Sequence, residues 1–217
     1  MSIAADQAKS ARPRPKQYVE PAVSHAKFDR ELSEYRTLED EYLSRGWVLT
    51  HACFPLVRVM MCAAQLKPPA VIVEVEFDFT NYDAEPPSVT LVEPFTHRPY
   101  GADELPTILK RTVGAPAGLL PPGLPGGAML NIQAQQPLMQ PPNTPDDLPF
   151  LCVAGVREYH EHPAHSGDLW ELHRESGAGR LARLLEVIHK YGVEPIADYQ
   201  VQLAMSVTGF IQSSFPE

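Results

Sequence analysis

Four of the eight histidines, His160, His162, His165 and His173, crowd between Tyr159 and His173, the strongest chemical signal in the sequence. Imidazole, thiolate and carboxylate are the ligand types that zinc accepts in a four-coordinate shell. Read as an extended strand through 150–162, the two-residue period puts Cys152, Glu158, His160 and His162 on one face. His165, in the turn after Pro163, could close back on that set. The expected metal ligands are therefore Cys152, His160, Glu161, His162 and His165, with zinc as the expected ion. A closed four-ligand site would be structural, whereas three ligands and an open position would activate water. In the second case the chain would be a zinc-dependent hydrolase using His160, His162 and His165, with Glu161 as general base. The plainer alternative is a solvated acidic loop, since five acids and two basic residues lie between Arg157 and Glu175. Cys152 also sits among apolar neighbours, as a small buried hydrophobe would. Ser166 stands beside histidines but lacks the elbow motif of a serine hydrolase.

Several elements must position this cluster. A strand is expected over 150–160 and a loop over 162–173. Leu181, Leu184, Leu185, Ile188 and Tyr191 then form an amphipathic stripe running from near Gly179 to Gly192. Beyond Pro195, Tyr199, Leu203, Val207 and Phe210 predict a last helical segment. Upstream, Phe28, Leu32, Tyr35, Leu38 and Tyr42 predict a helix over 25–45, with Ser24 as its N-cap and Gly46 closing it. Short strands are expected at Trp47–Thr50, Leu56–Leu66 and Ser88–Val92. The clearest strand is 70–79, with Val71, Val73, Val75, Phe77 and Phe79 on one face and Glu74, Glu76 and Asp78 on a wet one. Helix, antiparallel strands, long loop and helices make an α+β plan, one antiparallel meander sheet backed by helices.

The long loop is where composition departs from the ordinary. Of 23 prolines, 12 lie between Pro94 and Pro149, and from Gly114 onward the stretch has neither a helix nor a strand period. A proline-rich insertion at about 100–149 is expected, either a surface excursion of polyproline II character or a docking segment for a partner. Residues 1–21 read as a disordered basic tail, which leaves 22–217 as a single domain. With 18 basic against 27 acidic residues and a net charge of −9, no nucleic-acid partner is expected. No apolar run reaches the roughly 20 residues of a membrane span, and no secretory signal is expected at the N-terminus. Cys53, Cys62 and Cys152 form no CxxC pair and no disulfide framework, so a reducing, cytoplasmic setting is expected. Pro125 and its neighbours spoil any phosphate-binding turn at Gly123–Gly127.

After the helix and meander, Tyr82-x-x-x-Pro86-Pro87-x-Val89-x-Leu91 resembles the Tyr-Pro-x-x-Pro-Pro-x-Val-x-Phe stretch of the ubiquitin-conjugating enzyme fold. Further on, His162-Pro163-Ala164 and Gly167-Asp168-Leu169-Trp170 resemble that family's His-Pro-Asn and Gly-x-Ile-Cys. The resemblance covers about 24–211, apart from the proline-rich stretch. It departs at two places: Trp170 stands at the catalytic cysteine and Ala164 at the asparagine proposed to stabilise the oxyanion. Thioester transfer needs a thiolate that can attack and leave, and an indole does neither. The cluster is also similar to the predicted metal-binding proteins encoded beside bacterial ubiquitin-like conjugation genes, with their Cys-Glu-His-His signature. The matching residues are Cys152, Glu158 or Glu161, and two of His160, His162 and His165. Together these resemblances imply a ubiquitin-conjugating-like (UBC-like) domain acting as a non-thioester accessory of a bacterial ubiquitin-like modification pathway. Zinc would sit at the histidine cluster. A ubiquitin-like protein or a pathway enzyme would be the partner, met through Trp170, Tyr82, Pro86 and Pro87. A further alternative is a conjugating enzyme with an unorthodox nucleophile such as Cys152.

Overall fold

A computed structural model describes residues 14–114, 133–141 and 147–198. Helix α1 (Pro21–Thr37) opens on a proline, whose fixed φ and missing N–H suit the first helical position. Ser24, expected as the cap, instead lies buried inside the helix and accepts a hydrogen bond from Gln17 Nε2 at 3.1 Å. A second short helix, α2 (Glu39–Ser44), follows a break at Leu38, where φ is −116°. The single helix expected over 25–45 is therefore two. Thr37 Oγ1 turns back onto the carbonyls of Glu34 and Ser33 at 2.6 and 3.2 Å, the competition that ends helices at such residues. Gly46 closes α2 with φ +87°, and a Cβ there would stand 2.4 Å from the Cys62 carbonyl oxygen.

Strands β1 (Trp47–Cys53), β2 (Leu56–Ala63), β3 (Ala70–Asp78) and β4 (Ser88–Val92) form one antiparallel meander in sequence order. Val73, Val75, Phe77 and Phe79 are fully buried, as the alternation predicts. Val71 is 41% exposed, because it lies past the register shift between Met61 and Cys62. The opposite face is not uniformly wet. Glu74 is completely buried and accepts from Thr50 Oγ1 at 2.5 Å, with His97 Nδ1 at 2.6 Å. The turn that brings His97 there is tied by Glu93 N–H to Arg98 O (2.8 Å) and His97 N–H to Glu93 O (2.9 Å). Alternation cannot anticipate a partner supplied from a later turn.

The core lies between the sheet and α1 with α5 (Leu181–Ile188), which pack against each other. Leu181, Leu184, Leu185 and Ile188 are all fully buried, the stripe expected from their spacing. A π-turn at His189–Val193 follows. The stripe expected over Tyr199–Phe210 lies outside the described residues.

Residues 16–19, expected within a disordered tail, are strapped to the loop after β3. Tyr18 N–H and Val19 N–H donate to Asn81 Oδ1 at 2.8 and 3.2 Å, and Asn81 Nδ2 donates to Lys16 O at 3.1 Å. Asn81 is fully buried, so its amide must find partners, and the strap supplies them. Residues 1–13 lie outside the described residues.

The stretch expected to lack regular structure carries β5 (Lys110–Gly114) paired antiparallel with β6 (Gln133–Pro137). A polar run such as Gln133-Ala134-Gln135-Gln136 has no apolar period to read, and the pairing is made by the backbone ladder with Arg111 bonded to the facing Gln136 side chain. Beyond it, β7 (Met139–Gln140) pairs with β8 (Phe150–Leu151). Buried Leu109 and Leu138 close the base of the hairpin, with Leu138 N–H donating to Leu109 O at 2.7 Å. Among the described residues, no helix is long and apolar enough to cross a membrane.

Candidate functional site

The strand expected over 150–160 stops at Leu151. Gly155, with φ +103°, turns the chain into α3 (Arg157–Glu161), and a Cβ there would come within 2.3 Å of Ala178 O. Arg157, 6% exposed, anchors the turn: its N–H donates to Pro87 O at 3.0 Å and its Nη2 to Thr80 O at 2.6 Å. A 3₁₀ turn at Pro163–His165 and α4 (Glu171–Arg174) complete the segment. The common strand face on which the ligand set was to converge therefore does not exist.

Each candidate ligand has its own surroundings. Glu158 turns to β4, hydrogen-bonded to Ser88 Oγ and to Val89 N–H, the latter at 3.4 Å. His160 Nε2 accepts from Gly155 N–H at 3.3 Å, so its Nδ1 is the protonated nitrogen and donates to Asp168 O at 2.8 Å. Burial, chiefly, holds its pKa below the usual imidazole value. His162 stacks on Phe150 with ring centroids 5.0 Å apart, while its Nδ1 accepts from Ala164 N–H at 3.2 Å. Glu161 is exposed on the outer side of α3.

Cys152 and His165 meet, with Sγ 3.4 Å from Nε2, and the His162 ring centroid lies 5.6 Å from that of His165. Tyr159 stacks on the His165 ring at 4.0 Å and donates its hydroxyl to Asp168 Oδ2 at 2.6 Å. Asp168 Oδ1 takes His173 Nε2 at 2.5 Å, and these two bonds, Tyr159 first, hold its carboxyl below the usual range. Burial, with Asp168 beside it, pushes the Tyr159 hydroxyl up to about 12. Burial likewise raises the Cys152 thiol, against the pull of the Arg111 guanidinium. As placed, both His160 nitrogens are hydrogen-bonded within the chain. Among the described residues, no group of three or more His, Cys, Asp or Glu is arranged to hold a metal ion.

The four residues expected to meet a partner are interior. Trp170 is 6% exposed and Tyr82 3%, and Pro86 and Pro87 are buried. Trp170 Nε1 donates to Asp83 O at 2.9 Å. A Cβ on Gly179 would lie 2.9 Å from the indole and 3.1 Å from Pro87, so that glycine lets the three segments close together. Sequence spacing also missed the cations around Asp83, which pairs with Lys27 (2.9 Å) and Arg174 (2.8 Å) in a cleft of about 800 Å³. These two side chains hold the Asp83 carboxyl below its usual range against the opposing effect of burial, the largest single influence. Nothing in local spacing could have joined residues so far apart along the chain.

Fold and site together define an α+β protein whose four-strand antiparallel sheet carries a histidine-rich segment beside its loop after β3. The chain belongs to the Y4jH-like family (Y4jH family), which matches residues 19–196. It is similar to "Uncharacterized protein y4jH" of Sinorhizobium fredii (strain NBRC 101917 / NGR234), 41% identical over 199 residues, covering 90% of this chain and 94% of that protein.

Proposed function

We propose that this protein is a UBC-like accessory of a bacterial ubiquitin-like modification pathway. It works by binding a pathway protein and passes no thioester at the position where conjugating enzymes carry their cysteine. One observation carries the reading: Trp170, at that position, is buried against Pro87 and Gly179 and hydrogen-bonded to Asp83 O. The indole hydrogen bond joins the loop Tyr82–Pro87 to the end of the His162–Trp170 segment, a contact between the two resembling motifs that supports the reading. An order of helix, four-strand meander, proline loop, histidine segment and helix supports the same reading. Because Trp170, Tyr82, Pro86 and Pro87 are interior, they shape the binding surface from beneath rather than touching the partner.

Isothermal calorimetry of the full chain tests this against the ubiquitin-like protein, activating enzyme and conjugating enzyme of the same genome. The expected result is saturable binding of one of them with Kd in the range of about 1–100 μM, typical of a transient encounter. No heat of binding with any of the three at about 100 μM would overturn the proposal.

A further inference from the structure

The pair that the histidine cluster does form has a chemistry of its own. Cys152 and His165 are each partly exposed, and their reactive atoms stand 3.4 Å apart. Stacking on Tyr159 fixes the plane of the imidazole, and Tyr159 is itself tethered to Asp168. Arg111, on β5, donates from Nε and Nη2 to the Gln136 oxygen of the facing strand at 3.0 and 2.7 Å. A nucleophile and a base in contact with it are the parts that acyl transfer requires.

We propose that Cys152 and His165 form an acyl-accepting site that takes an acyl group from an activated thioester. His165 Nε2 removes the Sγ proton as the sulfur attacks the carbonyl carbon. The tetrahedral intermediate collapses by breaking the donor's carbon–sulfur bond, and the departing thiolate takes the proton from His165. One thioester is exchanged for another, with no change of oxidation state. The site does not use Trp170 and goes beyond the pathway reading, since its test uses no pathway protein.

The full chain carrying Cys53→Ser and Cys62→Ser retains Cys152 as its sole thiol and is treated with S-acetyl N-acetylcysteamine. Intact-mass spectrometry and hydroxylamine lability follow the adduct. The expected result is acetylation of Cys152, slowed about 100-fold by His165→Ala. His165→Gln keeps size and polarity without a base, so it separates lost chemistry from lost folding if the alanine variant melts early. Two outcomes would each overturn the site: acetylation of Cys152 no faster than that of exposed Cys53 in a Cys62→Ser/Cys152→Ser chain, or a rate unchanged by both His165 variants.

Discussion

Replacing Asn81 tests the strap that ties the N-terminal residues to the loop after β3. In Asn81→Ala the bonds to Tyr18 N–H (2.8 Å), Val19 N–H (3.2 Å) and Lys16 O (3.1 Å) vanish, as does a longer one to Glu85 at 3.4 Å. Three well-formed bonds at about 1 kcal/mol each set the loss near 3 kcal/mol. Asn81 also has φ +63°, a left-handed conformation that asparagine tolerates and alanine resists by about 1 kcal/mol. The expected cost is about 4 kcal/mol, or a fall in Tm of roughly 8–16 °C for a domain of this size. Asn81→Gly loses the same bonds but keeps the backbone comfortable, so it should cost about 1 kcal/mol less. Urea unfolding followed by the fluorescence of Trp47 and Trp170 gives both values. Trypsin gives a local readout, because Arg12 and Arg14 precede prolines and leave Lys16–Gln17 as the susceptible bond beside the strap. A loss below about 1 kcal/mol in the alanine variant, with Lys16 cleavage unchanged, would refute the reasoning.

Three further outcomes are expected. Trp170→Cys should cost about 3–5 kcal/mol in urea unfolding, from the cavity left beside Pro87 and Gly179, and should restore no thioester transfer. Gly155→Ala, which demands φ +103° of alanine and drives its Cβ into Ala178, should shift the urea midpoint more than any exposed alanine substitution; an unchanged midpoint would contradict the geometry. Acid should weaken the fold through His160 and His189, whose pKa values burial lowers. An unfolded histidine titrates near about 6.5, so below that pH the unfolded chain binds more protons and stability falls. The urea midpoint should therefore drop between about pH 7 and 5, with a shallower slope in His160→Gln.

What the sequence revealed followed the length over which a pattern could repeat. The meander and the buried stripes of α1 and α5 were legible because each repeats its period several times. The segment after Leu151 was not. Its alternation imitates a strand, yet the left-handed turn at Gly155 and the bond from Arg157 N–H to Pro87 O make it a helix of five residues, too short to show a period. Glu74 looked wet because His97 reaches it from another turn, and Asn81 gave no local sign that it would hold residues 16–19. In the site, the spacing of the histidines located the cluster but could not pair it. Cys152 meets His165 only because the chain folds back through α3. Trp170 stands out in sequence as a large apolar residue at a motif position, but its burial depends on the absence of a side chain at Gly179.

Closure of the β5–β6 hairpin by Leu109 and Leu138 separates what lies beyond it from the stability of the sheet. Eighteen residues, 115–132, join Gly114 to Gln133. Gly114 and Gln133 face each other as the last pair of the ribbon, so whatever is joined to them starts and ends at two neighbouring points. A folded reporter domain spliced between Gly114 and Gln133 should therefore leave the host its own unfolding transition, which makes the hairpin a port for enlarging the protein.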